Sequence, residues 1–398
     1  MTGRELIEVV EGKARIIVPN PSLYSRPDGV YEPSWAPVFY NPKMVFNRDF
    51  SVLFLNTISK LGADLKVIVD PLAGSGVRGI RYLLEVPRVE KAIINDIDPE
   101  AYKIIEENVV LNGLTRRVET YCLDANLLLN SLPQLGIRGD FIDVDPFGSP
   151  IPFIDSALWA TKNHGYIAVT ATDTAALVGT HEQACIRRYH AKPLRCGCEK
   201  EIGLRILIAS IILRAAAKDI ASIPVVAYFA DYYYRVFFKV IRGAKRATKL
   251  IEQIGFIAYD PQRGDYWFIK GYPIPRIQIN KGEVLLGGPL WIGELASKEV
   301  LDELIKEASS EKYSYLTTIN RIKELIDNLK CETPIIKPYY RLDKICSLIH
   351  RSMPKMSSVI ECLISKGYRA CRSHFDYRGI RTNAPISEII DCINSLLA

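Results

Sequence analysis

Within DFIDVDPFGSP at 140–150, Asp145, Pro146, Phe147 and Gly148 set a carboxylate, a rigid backbone and an aromatic ring side by side. An exocyclic amine attacks well only when its lone pair is freed from ring conjugation and its proton has a destination. Asp145 can accept one N–H and later the proton, and a backbone carbonyl held by Pro146 can accept the other N–H. Phe147 can stack on the base that bears the amine. A base used in this way must first leave its own stack. Out of context the same residues are a strand ending in an Asp-Pro turn with a core phenylalanine. Asp143, one strand alternation earlier, competes for a supporting role.

A second cluster lies at 70–79, DPLAGSGVRG. Gly74, Gly76 and Gly79 let the backbone turn sharply and approach a ligand closely, and a helix N-terminus offers unpaired N–H donors. The spacing also satisfies the dinucleotide fingerprint literally, which alone is weak. Asp70 decides between cofactors. A carboxylate at that strand tip repels a pyrophosphate but can face the ammonium of a methionine moiety, so S-adenosylmethionine is favoured over NAD. Asp96, about twenty residues on, can accept both ribose hydroxyls of an adenosine. Asp124 can accept the adenine amino group, and the backbone N–H of Ala125 can meet the ring. Each of these acids has a bland alternative as a helix N-cap.

Elements that alternate between short apolar runs and helical periods must position these residues. Strands are expected at 66–70, 91–96, 118–122, 140–144 and 166–170, with helices at about 77–86, 99–112 and 200–218. A terminal hairpin is expected over 225–229 and 234–241. Such alternation implies crossover connections and a mostly parallel sheet, with ligands at the carboxyl ends of its strands. The first sixty-three residues read as turn-rich. The alternating pattern closes at Arg242 and Gly243, giving domains at 1–243 and 244–398. In the second, helices are expected at about 296–308 and 315–329. The stretch 342–383 reads helix, turn, helix, strand pair, as in a winged-helix module. The fold class is therefore α/β, Rossmann-like, with a smaller α+β C-terminal domain.

The composition of the 398 residues is that of a globular protein, 48% apolar and 24% charged, with a net charge of +6 that is compatible with a polyanionic partner. The opening residues do not resemble a signal peptide, and the most apolar stretch, 206–217, is interrupted by Arg214 and too short to cross a bilayer. A soluble, cytoplasmic protein without membrane partners is expected, with a monomer as the simplest state. Nine cysteines, an odd number, read first as buried thiols. Cys196, Cys198, Cys185, His181 and His190 lack zinc-like spacing, so no metal is expected.

Several blocks are recognisable in order: LIEVVEGKARIIVP, VFYNPKMVFNRD, DPLAGSGVRGIR, INDIDPEAY, DVDPFGSP, TATDTAALVGTH, KPLRCGCEKEIGLRIL and SHFDYRGIRTNAP. Together they resemble the tRNA guanine-26 dimethyltransferase family of the Trm1 type, nearly end to end. The resemblance implies a class I methyltransferase domain, a C-terminal domain that helps hold tRNA, and S-adenosylhomocysteine as the second product. It implies cofactor contacts at Arg48, Arg78, Asp96, Asp124 and Ala125, a catalytic acid at Asp145, and an aromatic pair, Phe39 and Phe147, about the guanine. Arg48 and Arg78 suit the cofactor carboxylate, which a guanidinium grips in bidentate fashion. Two departures stand out. The cysteine insertion some members carry after the hairpin is missing, and 25–35 (SRPDGVYEPSW) looks inserted before VFYNP.

Between Lys337 and Arg381 ten Lys or Arg face three Asp or Glu. Lys355, Lys366, Arg369, Arg372, Arg378 and Arg381 alternate with Tyr368, Phe375 and Tyr377, which suits phosphate contacts that weaken steeply with salt. Other readings are amino-methylation of rRNA or another tRNA position, a non-catalytic RNA-binding protein, and an NAD-dependent dehydrogenase. Asp70 and the Asp-Pro-Phe-Gly motif argue against the last.

Overall fold

The structure is a computed structural model that describes residues 5–273 and 284–397. It opens on a hairpin, β1 (Leu6–Glu11) and β2 (Ala14–Pro19), which turns at Gly12 in a left-handed conformation. A loop of short 3-10 turns leads to α1 (Val45–Lys60). Neither the hairpin nor this helix was expected from a stretch read as turns. In α1 every residue from Phe46 to Ser59 is buried, so no polar stripe marks a helical period.

Strand–helix units follow: β3 (Val67–Asp70), α2 (Val77–Glu85), β4 (Lys91–Asn95), α3 (Pro99–Leu111), β5 (Val118–Tyr121) and α4 (Ala125–Ser131). After them come β6 (Gly139–Val144), α5 (Ile151–Ala160) and β7 (Thr161–Ala171). Local chemistry sets the boundaries. Gly76 starts α2 with φ +77, and Asp98 caps α3 ahead of Pro99, its side chain accepting the Glu100 N–H. Then α6 (Thr174–Leu177), α7 (Glu182–Tyr189) and α8 (Glu199–Ala216) precede the hairpin β8 (Ile220–Ala230) and β9 (Tyr233–Arg242). The seven-stranded sheet has the order β5-β4-β3-β6-β7-β9-β8. Its pairs from β5 through β7 are parallel, and β8 and β9 are antiparallel. This is the expected mostly parallel sheet, and strand order reverses beside β3, where β4 and β6 flank it.

The remaining chain holds α9 (Ala244–Ile251) and strands β10 (Ile254–Asp260), β11 (Asp265–Lys270) and β12 (Leu285–Trp291), ordered β11-β10-β12. Helices α10 (Lys298–Ser309) and α11 (Ile319–Glu332) follow, the latter starting four residues later than its expected bound. Then come β13 (Tyr340–Arg341), α12 (Leu342–Leu348), α13 (Met356–Ser365), β14 (Ala370–Arg372), β15 (Gly379–Thr382) and α14 (Ile386–Leu396). The helix, helix, hairpin order expected over 342–383 is present, with β13 added to the small sheet β13-β15-β14.

By contacts, the described residues fall into two compact units. The first comprises Met1–Pro146, Pro152–Val169 and Asp302–Glu324; the second comprises Phe147–Ile151, Thr170–Leu301 and Leu325–Ala398. In the first, Thr318 donates to the Asp49 carboxylate through its N–H at 3.2 Å and its hydroxyl at 2.7 Å. In the second, Cys362 on α13 and Cys392 on α14 form a disulfide, a pairing the sequence left open although the cysteines read first as buried thiols. Cys122 and Cys331 are free but exposed.

Candidate active site

Parallel pairing brings the carboxyl ends of β3, β4 and β5 to one sheet edge. Asp70 is the last residue of β3, but the other two acids lie past their strands: Asp96 one residue beyond β4, and Asp124 three beyond β5. Asn95 explains how these tips are held. Its side-chain amide donates to the Pro71 and Leu123 carbonyls at 2.9 Å each, and its Oδ1 accepts the Leu123 N–H at 3.0 Å. One buried amide thus ties the loops after β3 and β5 to the end of β4, a role the sequence reading missed although Asn95 sits inside INDID.

The glycine loop is fixed by close approach. Gly74 has φ +55, and a Cβ there would stand 2.7 Å from the Phe39 carbonyl oxygen. Its N–H donates to Asp96 Oδ2 at 2.8 Å, while Asp96 Oδ1 accepts from the Asp98 N–H at 3.0 Å. Burial raises the Asp96 pKa, with these N–H groups acting in the opposite direction. Asp70 Oδ2 accepts the Gly79 N–H at 3.1 Å. Burial, reinforced by Asp143 and opposed by Arg78, pushes Asp70 up to about 7. Asp124 caps α4, accepting N–H groups of Asn126 and Leu127 at 2.9 and 3.0 Å through one oxygen. Its neighbour Ala125 is buried.

Asp145 follows β6 directly, and its side chain is 20% exposed. Its Oδ2 pairs with Arg78 Nη2. Arg78 is buried and also reaches Asn47 Oδ1 at 2.9 Å and Asp143 Oδ2 at 3.3 Å. Tyr82 donates its hydroxyl to Asp143 Oδ2 at 2.5 Å. Burial disfavours the Arg78 charge, yet Asp143 and Asp145 hold its pKa well above the ordinary value. Asp143 thus does point to the side of Asp145 and meets the same guanidinium. Phe147 is 68% exposed, and Phe39 is half-buried.

Arg48 stands in a separate buried cluster. Its Nε and Nη2 donate to the two oxygens of Glu11 at 2.6 Å each. Arg81 Nη1 adds 2.8 Å to Glu11, and Arg81 also pairs with Asp49 and Glu85 at 2.7 Å each. Burial would raise the Glu11 pKa, but Arg48 and Arg81 outweigh it and bring it down to about 2. The expected partner of Arg48 was a cofactor carboxylate; here its fork is filled by a protein carboxylate. No spacing signal in the sequence links Glu11 to Arg48 or Arg81.

A family model for N2,N2-dimethylguanosine tRNA methyltransferase (TRM) matches residues 12–394. The chain belongs to that family. A tRNA (guanine(26)-N(2))-dimethyltransferase of Sulfurisphaera tokodaii is 43% identical over 389 residues, covering 98% of this chain and 99% of the relative. The enzyme of the same description from Sulfolobus acidocaldarius is 38% identical over 393 residues, 98% of each. Among solved structures, Trm1 from Pyrococcus horikoshii in complex with S-adenosyl-L-methionine aligns with a TM-score of 0.83 at 34% identity. That alignment covers 98% of this chain and 100% of the other.

The donor set of this family member fits S-adenosylmethionine on its own chemistry. The N-cap of α2, Gly76, has no side chain to cap the helix, and although Asp70 takes the Gly79 N–H, the Val77 and Arg78 N–H groups are left for a carboxylate beside the Arg78 cation. Acids at the three neighbouring strand ends suit an ammonium, a ribose diol and an adenine amine. Among the described residues no group of three His, Cys, Asp or Glu is arranged to hold a metal ion. None of the described helices is long and apolar enough to cross a membrane.

Proposed function

We infer that this chain is an S-adenosylmethionine-dependent tRNA methyltransferase that places one or two methyl groups on the exocyclic 2-amino group of guanine 26. Bound at the strand tips, S-adenosylmethionine supplies a methyl group activated by its sulfonium. Asp70, Gly74, Arg78, Asp96, Asp124 and Ala125 would hold it. Arg48 would contribute by fixing the segment around Glu11 or by turning its guanidinium to the donor carboxylate.

The observation that carries this reading is the setting of Asp145, partly exposed at a strand end and ion-paired to a buried arginine. A carboxylate so held stays oriented while one oxygen accepts an amine N–H. As the nitrogen gains a methyl group its acidity rises, and Asp145 receives the proton. Phe147 and Phe39 are the residues that the family resemblance would give to the guanine. The chain from 244 to 398 would serve as the tRNA-binding domain, with its winged-helix-like elements and the exposed Lys355, Lys366, Arg369 and Arg372 facing phosphates; Arg381 drops out of the expected set because it is buried against Glu201 and Glu332. Its place is with tRNA in the cytoplasm.

Incubation of unmodified tRNA with the protein and methyl donor, followed by nucleoside mass spectrometry, tests this. N2-methylguanosine and N2,N2-dimethylguanosine at position 26 are expected. Asp145→Ala should slow transfer by roughly a hundredfold or more while the donor dissociation constant stays near wild type. Methylation at another base, or near-normal transfer by Asp145→Ala, would overturn the assignment.

A further inference from the structure

The block TATDTAALVGTH has no part in the chemistry described so far, yet its residues grip the loop that carries Phe147. Thr172 Oγ1 accepts the Gly148 N–H at 2.7 Å, and the Thr172 N–H donates back to the Gly148 carbonyl at 3.0 Å. One residue further, Ser149 Oγ donates to the Tyr189 hydroxyl at 2.9 Å. Tyr189 in turn donates to Asp173 Oδ1 at 2.6 Å, and Arg188 Nη1 holds the other Asp173 oxygen at 2.9 Å. All these residues belong to one compact unit.

The relay is shielded from water. Tyr189 is 2% exposed, and the Asp173 side chain 8%. Burial, then the Asp173 charge, raises the Tyr189 pKa above that of an ordinary tyrosine, so its hydroxyl keeps its proton at neutral pH. Its single proton goes to Asp173, so its oxygen is left to accept from Ser149, and the direction of the relay is fixed. Gly148 meanwhile sits at φ +78, a conformation only glycine adopts freely. The two residues after Phe147 are therefore pinned by four hydrogen bonds counting Tyr189 to Asp173, while the Phe147 ring itself projects to 68% exposure. The backbone from which the ring springs is thereby fixed on its C-terminal side.

We propose that Thr172, Tyr189 and Asp173 are positioning residues that preset the Phe147 ring as a platform for the target base. This rests on the reading of Phe147 as the ring that meets the guanine. Holding a reacting partner in place before it binds raises turnover rather than ground-state affinity, and misplacement by about an ångström costs on the order of a hundredfold.

Tyr189→Phe deletes only the hydroxyl and keeps the ring. It should lower kcat on the order of tenfold with KM for tRNA and donor affinity within about twofold. A double-mutant cycle separates positioning from general support. In a Phe147→Ala background, Tyr189→Phe should cause no further loss, because the platform it orients is gone. Thr172→Val, which cuts the other tie, should behave in the same way and guards against a folding defect in the first variant. Wild-type kcat for both hydroxyl deletions would overturn the inference, as would equal losses with and without Phe147. Phe147→Ala at full activity would instead remove the platform reading, and the inference with it.

Discussion

At Arg78 two acids meet one guanidinium, and a third buried acid, Asp70, lies close enough to feel all of them. The aspartates were legible in the sequence because each follows a short apolar run, where a parallel sheet puts its ligand edge. The partner of Arg78 was not, because Asp145 lies 67 residues away and no local period connects them. Glu11 was missed for the same reason. Its folded pKa of about 2 lies below the ordinary 4.5, so its stabilisation is complete above 4.5 and disappears as pH falls through about 2. That difference corresponds to roughly 3 kcal/mol. Glu11→Gln should therefore lower the unfolding free energy by about that much at pH 7. Urea titrations at pH 7 and pH 3 should show the gap between variant and wild type narrowing in acid; a constant gap would count against ionic pairing as its source.

Among the elements, the strand–helix alternation from β3 to β7 was readable because β3, β4 and β6 carry apolar runs and α3 and α4 open on capping aspartates. The hairpin β1–β2 and α1 were not. β1 is mostly half-buried and carries glutamates, and α1 buries Asn47, Arg48 and Asp49 among its apolar residues, so composition imitates a loop. The glycine loop belongs to this scale, since its path depends on the segment before α1. Gly74→Ala must accept both a left-handed φ of +55 and a Cβ 2.7 Å from the Phe39 carbonyl, which obliges one backbone to shift. Gly113, with φ +68 and nothing within 4 Å of its Cβ position, isolates the conformational part. Gly113→Ala should cost about 1 kcal/mol of stability and leave donor binding alone. Gly74→Ala should weaken donor binding by more than tenfold in calorimetry, about 1.4 kcal/mol. Equal donor affinities for the two variants would show that the Phe39 approach is unimportant.

For the whole molecule, sequence pattern divides the chain once, whereas contacts return the segment Asp302–Glu324 to the first unit. Thr318 reaches Asp49 across 269 residues of sequence, a separation at which periodicity carries no information. The cysteines pose a similar problem, since pairing depends on which helices meet. The Cys362–Cys392 bond spans 30 residues and joins α13 to α14 around the β14–β15 pair. Closing a loop of that length removes about 4 kcal/mol of unfolded-chain freedom. Reductant should therefore lower the melting temperature by about five degrees. Thiol titration of unfolded protein should find seven groups before reduction and nine after. An unchanged melting temperature once all nine titrate would deny the bond a stabilising role.

A cell whose interior keeps thiols reduced would make this chain without its covalent tie. The bond would then follow folding and depend on an outside two-electron oxidant, such as a disulfide of another molecule that takes up the hydrogen pair, and it would be recorded in the mass of the protein by the loss of that pair.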